Sequence, residues 1–504
     1  VAAHLNAADV ILAKAREPRF RDRPAIIHAG GTVSYGAFDA EVSKAAHALG
    51  ALGLGRGERV ALLMHDSPRF CAAFLGALRR GAVSLALNQR FAAADLAFVV
   101  ADSEARLVVA DPDFLDVARA ACAGSGARLV PARGAGDSLE ATVARSAPEF
   151  ATVATRADEP AFWMYSSGTT GKPKGILHSH ANAAHTGKLY RELLRTDAPF
   201  VVLATSKLFF AFALDCAFLG ALACGGTTIL NEGWPEPEAI LAQARAHRPT
   251  FFLTVPTFFR RLLALPPDEL AALAAVRANL TGGERFPDAV ADQWQTRVGT
   301  ELLVVYGMSE TFTPVMANVP GRSRPDRCGI ALGGVETKLV ASDGQPAAPG
   351  LPGVLWLKHP SLALRYRSAE TTARAFRDGW FCTGDVFTRE ADDTWTHQGR
   401  ADDLLKVAGQ WVNPRATEEA VLADPRIREA ACVVVPDRDG FDRLALFVVG
   451  ADAGAVAAPR LAGLPRHGQP KWVREVAELP RTATGKVQRF KLREQLEREL
   501  RAAG

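Results

Sequence analysis

The chain has 504 residues, of which 48% are hydrophobic and 23% charged, with a formal net charge of +4 and seven cysteines. That length exceeds what one hydrophobic core supports, so two or more domains are expected, and the composition excludes a disordered or fibrous chain. The small charge, without any Lys/Arg block, argues against nucleic-acid binding; seven scattered cysteines with no C-x-x-C pair argue against a disulfide framework or zinc site and for a reducing cytoplasm.

The first residues, Val1 to Asn6, lack the basic flank and apolar core of a signal peptide. Apolar runs at residues 59–64 and 105–110 are expected as strands, and residues 69–80 and 92–101 as the helices between them, in a βαβ pattern. Ala161-Phe162-Trp163-Met164 is expected as a buried strand, with Ile176 and Leu177 marking the return into the core. Residues 208–222 are too short to span a membrane, carry Asp215 in their middle and soon meet Gly225 and Gly226, so a buried helix is expected. Strands are expected at 200–204, 250–255 and 302–306, and a helix at 237–247. Around 354–358 and 395–398 short strands and turns suggest a β-rich lobe, and beyond it lies a compact α+β unit with a strand at 432–435. The expected fold is α/β. A large multi-lobed N-terminal domain, residues 1–399, combines mixed and parallel sheets, helices and the β-rich lobe; a small mobile α+β domain follows at 400–504.

The loop between the strand at 161–164 and its return holds the densest chemistry: Tyr165-Ser166-Ser167-Gly168-Thr169-Thr170-Gly171-Lys172-Pro173-Lys174-Gly175. Glycines let backbone approach closely, successive amides can cradle an anion, and lysines add point charge, a set suited to a polyphosphate. It is not a Walker A loop, because two residues rather than four separate Gly168 and Gly171, and Pro173 follows Lys172. A polar hairpin would explain such a loop in isolation. Four further segments accompany it: Tyr306-Gly307-Met308-Ser309-Glu310 closing a strand, Thr383-Gly384-Asp385, Gly399-Arg400-Ala401-Asp402-Asp403, and residues 479–486 ending Thr484-Gly485-Lys486.

These five segments, in this order, resemble the motifs of the adenylate-forming superfamily of acyl- and aryl-CoA ligases, peptide-synthetase adenylation domains and luciferases. The resemblance implies that Ser166, Ser167, Gly168, Thr169, Thr170, Gly171, Lys172 and Lys174 hold the phosphates of ATP. It places Tyr306 against adenine beside Gly307, and Gly283 and Glu284 of Thr281-Gly282-Gly283-Glu284 on the adenine side. Ser309 would touch phosphate and Glu310 would ligate Mg²⁺, while Asp385 takes the ribose hydroxyls and Arg400 the ribose or phosphate. Asp402 falls on the hinge position, Lys486 on the catalytic lysine that meets the substrate carboxylate and α-phosphate, and Gly409 of Lys406-Val407-Ala408-Gly409 on the CoA tunnel. Ala408 stands where many relatives have glycine, and Pro414-Arg415-Ala416 departs from the usual P-x-E.

The aromatic stretch Ser206-Lys207-Leu208-Phe209-Phe210-Ala211-Phe212 resembles that of the benzoate-CoA ligase branch. The acid pocket would then involve Ala211, Phe212 and Thr313, with backbone from 329–334; benzoate enzymes often carry Tyr and His where this chain has Phe212 and Thr313. The implied reaction joins an aryl or compact hydrophobic carboxylic acid to CoA through an acyl-adenylate, with ATP and CoA as co-substrates and Mg²⁺ as cofactor. A homodimer is common for the family, and neither nucleic acid nor a membrane span is expected. Two alternatives stand beside it: loading of a carrier protein's phosphopantetheine arm, and a catalytically inactive nucleotide sensor.

Overall fold

A computed structural model describes residues 4–167, 172–196, 199–283, 286–401, 405–407, 410–412, 414–450, 452–464, 469–480 and 487–502. The chain groups into two units, one of residues 1–336 and 358–381, the other of residues 337–357 and 382–504. This division differs from the expected boundary at 399/400, because the β-rich segments 337–357 and 382–399 group with the C-terminal residues.

In the first unit, among the described residues, one sheet runs Ile330–Ala331, Met316–Ala317, Leu302–Tyr306, Ala278–Thr281, Phe251–Thr254, Val201–Ala204, Thr227–Ile229, Pro24–His28, Gly31–Ser34. Its six central strands are parallel. Leu302–Tyr306 reads LLVVY and is buried along its first four residues, as a strand covered on both faces requires. A second sheet runs Arg365–Tyr366, Pro173–Ser179, Pro160–Ser167, Val83–Ala86, Arg59–Leu63, Leu107–Ala110, Arg128–Pro131. One core joins the two, with Phe162 and Met164 from the second sheet and Leu253, Leu280 and Leu303 from the first.

Helix ends follow local chemistry. Pro68–Arg79 opens with Pro at its first position and Ser67 as N-cap, its Oγ accepting from the Phe70 N–H at 3.2 Å. Pro237–His247 also opens on Pro and carries Arg245 and His247 in its last turn, where cations suit the helix dipole. Of residues 208–222, the first three form a turn and the helix begins at Ala211; it is buried along most of its length, with the stretch Ala213–Leu219 wound as a π-helix around a fully buried Asp215. Its carboxylate accepts from Thr186 Oγ1 and from the Gly187 N–H, which gives the buried polar group partners. No described helix is long and apolar enough to cross a membrane.

In the second unit, Trp395–Arg400 lies antiparallel to Trp380–Arg389 with Asp385 opposite Arg400. A three-stranded sheet of Ile427–Pro436, Asp442–Gly450 and Trp472–Glu475 carries apolar clusters on its two faces. The helix Arg489–Ala502 contributes Leu492 and Leu496 to one of them. Its first residue, Arg489, donates to the buried Glu418 at 2.9 and 3.2 Å.

Candidate active site

Pro160–Ser167 and Pro173–Ser179 pair antiparallel, with Ser166 opposite Lys174 and Ser167 opposite Pro173. The hairpin therefore delivers Ser166, Ser167 and Lys174 to one end of the second sheet, with an exposed Lys172 beside them, its Nζ 5.3 Å from the Phe98 ring. Gly168, Thr169, Thr170 and Gly171 lie outside the described residues, as do Glu284, Asp402, Gly409 and Lys486.

At the carboxyl end of Leu302–Tyr306 the chain turns through Gly307, Met308, Ser309 and Glu310. The turn is tight: a Cβ on Gly307 would meet Thr313 O at 3.1 Å and Pro314 Cα at 3.2 Å. Thr311 Oγ1 accepts from the Met308 N–H at 3.0 Å, and the Ser309 carbonyl is 2.9 Å from His178 Nε2. His178 is fully buried and stacked on Phe162 at 4.7 Å, and burial lowers its pKa to about 4. A neutral imidazole facing a carbonyl must carry its proton on Nε2. Glu310 is 8% exposed and accepts from the Tyr366 hydroxyl at 2.7 Å; its own carbonyl accepts from the Ala363 N–H at 2.8 Å.

A cavity of about 530 Å³ opens beside this turn. Ala211 and Phe212 line it, together with Gly283, Gly307 and Ser309. Gly282 also lines it, and a Cβ there would sit 2.7 Å from Val305 O, so only bare backbone fits against the strand end. Thr313 is not among the lining residues. Its hydroxyl is 2.9 Å from Ser361 Oγ, and Ser361 donates to Thr311 O at 2.7 Å and meets His359 Nδ1. Burial pushes the His359 pKa down to about 4, and Lys188 Nζ lies 3.2 Å from its Nε2. The 329–334 segment does not line the cavity either; Lys188 donates to Gly333 O.

In the second unit Asp385 is 5% exposed, with Arg400 Nη1 at 3.1 Å and His397 Nε2 at 3.7 Å. Arg400 also donates to Thr383 O at 3.1 Å. Gly384 has φ +71, and a Cβ on it would stand 3.0 Å from Arg400 Nη2, so the glycine both permits the turn and clears the guanidinium. The structure thus brings Asp385 and Arg400 together in one unit and the Ser309–Glu310 turn, Gly283, Ala211 and Phe212 together in the other.

Sequence reasoning missed Tyr366, His178 and the outer cavity wall of Trp234, Thr257, Phe258 and Arg261. The signal for His178 was present in the strand Pro173–Ser179, two residues after Ile176; Tyr366 had none, since it reaches Glu310 through a strand pairing with Ile176 and Leu177.

Parallel strand ends carrying a glycine-poised turn, a buried carboxylate and an adjacent apolar cavity define a nucleotide-handling α/β enzyme. The chain belongs to the AMP-binding enzyme family, whose model matches residues 13–367. It is 39% identical over 508 residues to the 3-hydroxybenzoate–CoA ligase of Aromatoleum sp. (strain CIB), covering 98% of this chain and 97% of that protein. It is 37% identical over 514 residues to the 3-hydroxybenzoate–CoA/4-hydroxybenzoate–CoA ligase of Thauera aromatica, covering 98% of each. Among solved structures, the anthranilate CoA ligase AuaEII in complex with anthranoyl-AMP superposes with a TM-score of 0.87 at 27% identity, covering 100% of this chain and 99% of that one.

Proposed function

We propose that this protein is an ATP-dependent aryl-CoA ligase that activates a benzoate-like acid as its adenylate and transfers the acyl group to CoA. The observation that carries the reading is the 530 Å³ cavity, in which Phe212, Phe258, Val305 and Phe312 wall an apolar space that reaches the Gly307–Ser309 turn. A ring is held by burial against such walls, and its carboxylate is left at the polar end. The relatives named above act on hydroxy- or amino-substituted benzoates, which favours a compact ring acid over a long alkyl chain.

In the first half-reaction a carboxylate oxygen of the acid attacks the α-phosphorus of ATP, and the bond to the bridging oxygen breaks as pyrophosphate leaves. Ser166, Ser167, Lys172 and Lys174, with Gly168, Thr169, Thr170 and Gly171, hold the polyphosphate. Gly283, Glu284, Tyr306 and Gly307 face the adenine, and Ser309 contacts phosphate. Asp385 accepts from the ribose hydroxyls, and Arg400 sets its orientation. Lys486 donates to the charge that builds on the reacting oxygens.

The residues present fit Mg²⁺. Glu310 keeps its carboxylate under a neutral hydroxyl from Tyr366, and no group of three metal-binding side chains stands elsewhere among the described residues. A single carboxylate completed by phosphate oxygens and water is how this cation is usually held, and when bound it offsets phosphate charge. In the second half-reaction the small domain has turned about Asp402, the CoA sulfur reaches the adenylate carbonyl past Gly409, and AMP leaves.

The test is AMP release from ATP with benzoate, 3-hydroxybenzoate, 4-hydroxybenzoate and 2-aminobenzoate, with and without CoA. CoA-dependent release with one ring acid is the expected result; pyrophosphate exchange without CoA stimulation would point to a carrier protein instead. Lys486→Ala should lower adenylation by roughly 10²- to 10³-fold while thioester formation from supplied acyl-adenylate persists. Loss of both half-reactions together would remove Lys486 from its role.

A further inference from the structure

Residues 231–236 follow the strand Thr227–Ile229 and form neither helix nor strand, yet Trp234 and Pro235 make part of the cavity wall. Backbone outside a ladder needs other partners to keep one shape. Here cations supply them. Lys207, 2% exposed, donates to the carbonyls of Asn231, Glu232 and Gly233 at 2.6, 3.1 and 3.1 Å. It also lies 3.3 Å from the buried Asp66, whose second tie is the Leu208 N–H at 3.2 Å. Arg90 stacks over the Trp234 indole 3.5 Å from its centroid, and Phe209 meets the same ring edge-on at 6.4 Å. Arg261, from the helix Pro256–Leu263, donates to Pro235 O at 3.3 Å and pairs with Glu236. That helix places Thr257 and Phe258 in the same wall.

We propose that this clamped strap is the specificity-determining wall of the acid pocket, with Trp234 limiting the length of acid admitted and Lys207 acting as the positioning residue that holds Trp234. The proposal rests on the adenylating reading above. No strap residue belongs to the segments assigned to ATP or CoA, and Trp234 shares its cavity with Ala211 and Phe212, the residues assigned to the acid, so the indole is placed against the body of the acid. A half-exposed aromatic pinned on its outer face by a guanidinium cannot swing away without breaking the stack, and its backbone cannot slide while Lys207 holds three consecutive carbonyls. The acids accepted are compact aryl carboxylates with short ring substituents; a para-alkyl chain of several carbons meets the indole.

The test runs two length series, 4-methyl- to 4-hexylbenzoate and butanoate to dodecanoate, through CoA-dependent AMP release in wild type, Trp234→Ala, Trp234→Phe and Lys207→Met. Trp234→Ala should raise the kcat/KM ratio of 4-butylbenzoate to benzoate at least about tenfold, and Trp234→Phe should hold it within about threefold, since each methylene lost from a contact is worth a factor of this order. Lys207→Met should shift the ratio in the same direction by a smaller factor, with KM for ATP unchanged, a split that general loosening of the fold would not give. Because that variant leaves Asp66 buried without its cation, its melting temperature is measured alongside, and the Trp234→Ala result alone decides the matter if it unfolds. An unchanged ratio in folded Trp234→Ala overturns the strap proposal. A wild type that uses straight-chain acids and no benzoate overturns the aryl reading instead; the strap proposal then requires the dodecanoate-to-hexanoate ratio to rise in Trp234→Ala, and a flat ratio there overturns it too.

Discussion

Behind the turn at residues 307–314 the described partners of its carbonyls and of the Glu310 carboxylate include an imidazole, a phenol and a serine hydroxyl, whereas the strap at residues 231–236 is held by charged side chains. His178, Tyr366 and Ser361 meet the Ser309 carbonyl, the Glu310 carboxylate and the Thr311 carbonyl, and Lys188 connects to this turn through His359 and Ser361. The strap is held by Lys207, Arg90 and Arg261, with Asp66 and Glu236 balancing them. The difference follows from what each side meets. Under the proposed function the turn meets phosphate and Mg²⁺, and neutral partners such as His178 and Tyr366 fix its geometry without adding charge there. Under the same proposal the strap meets the body of the acid, and charge-assisted hydrogen bonds stand in for the ladder it lacks.

The sharpest way to break this comparison is Glu310→Gln. It should cut pyrophosphate exchange by roughly 10²- to 10³-fold and leave the 4-butylbenzoate-to-benzoate preference in place. A change in preference instead would join the two sides into one unit. Next in size is acid. The folded pKa of His178 lies near 4, below its ordinary 6.5, so stability is complete above 6.5 and falls as pH drops toward 4, where only the unfolded chain takes up the proton. For this fully buried ring the loss is roughly 3 kcal/mol. His180 and His359, both also lowered to about 4, add in the same direction. Urea melts of wild type and His178→Gln from pH 7 to pH 4 should show a flatter fall in the variant; parallel curves would mean that the imidazole is not held neutral. Tyr366→Phe should raise KM for ATP by a factor corresponding to about 2 kcal/mol, the worth of one hydrogen bond to a charged group, without altering acid preference. Smallest is Glu236→Gln. Its partner Arg261 is 46% exposed and Glu236 itself 62%, so kcat/KM should move less than about twofold and less still in high salt.

The parallel strands and their helices were legible because their signals are local. Leu302–Tyr306 and Pro237–His247 fall where the apolar runs and the proline start placed them. The hairpin of Pro160–Ser167 and Pro173–Ser179 and the Gly307–Glu310 turn were legible by resemblance, since their residues are contiguous. What the sequence concealed depends on distant partners. Thr313 stood where an acid-pocket residue was expected, but its hydroxyl found Ser361, near the far end of the first unit's sequence, and turned into a buried polar network. Trp234 sits in a stretch with no periodicity, and what makes it a wall is a lysine in one motif, an arginine before it and another after it. The grouping of residues 337–357 and 382–399 with the C-terminal segment likewise rests on pairings that no composition shift marks.

Phe312 ties the turn to the rest of the protein in a way the strap lacks. It sits at φ +59, a region an L-residue with a bulky side chain seldom occupies, while its ring packs 4.7 Å from Phe162 and 5.5 Å from His178 and also faces the cavity. One side chain therefore serves as core, backbone anchor and pocket wall. Substitutions there must satisfy three demands together, one of them a left-handed backbone that Trp234 does not share. A single substitution at Phe312 therefore disturbs core, backbone and cavity together, which makes this position the point where packing and pocket shape cannot be changed separately.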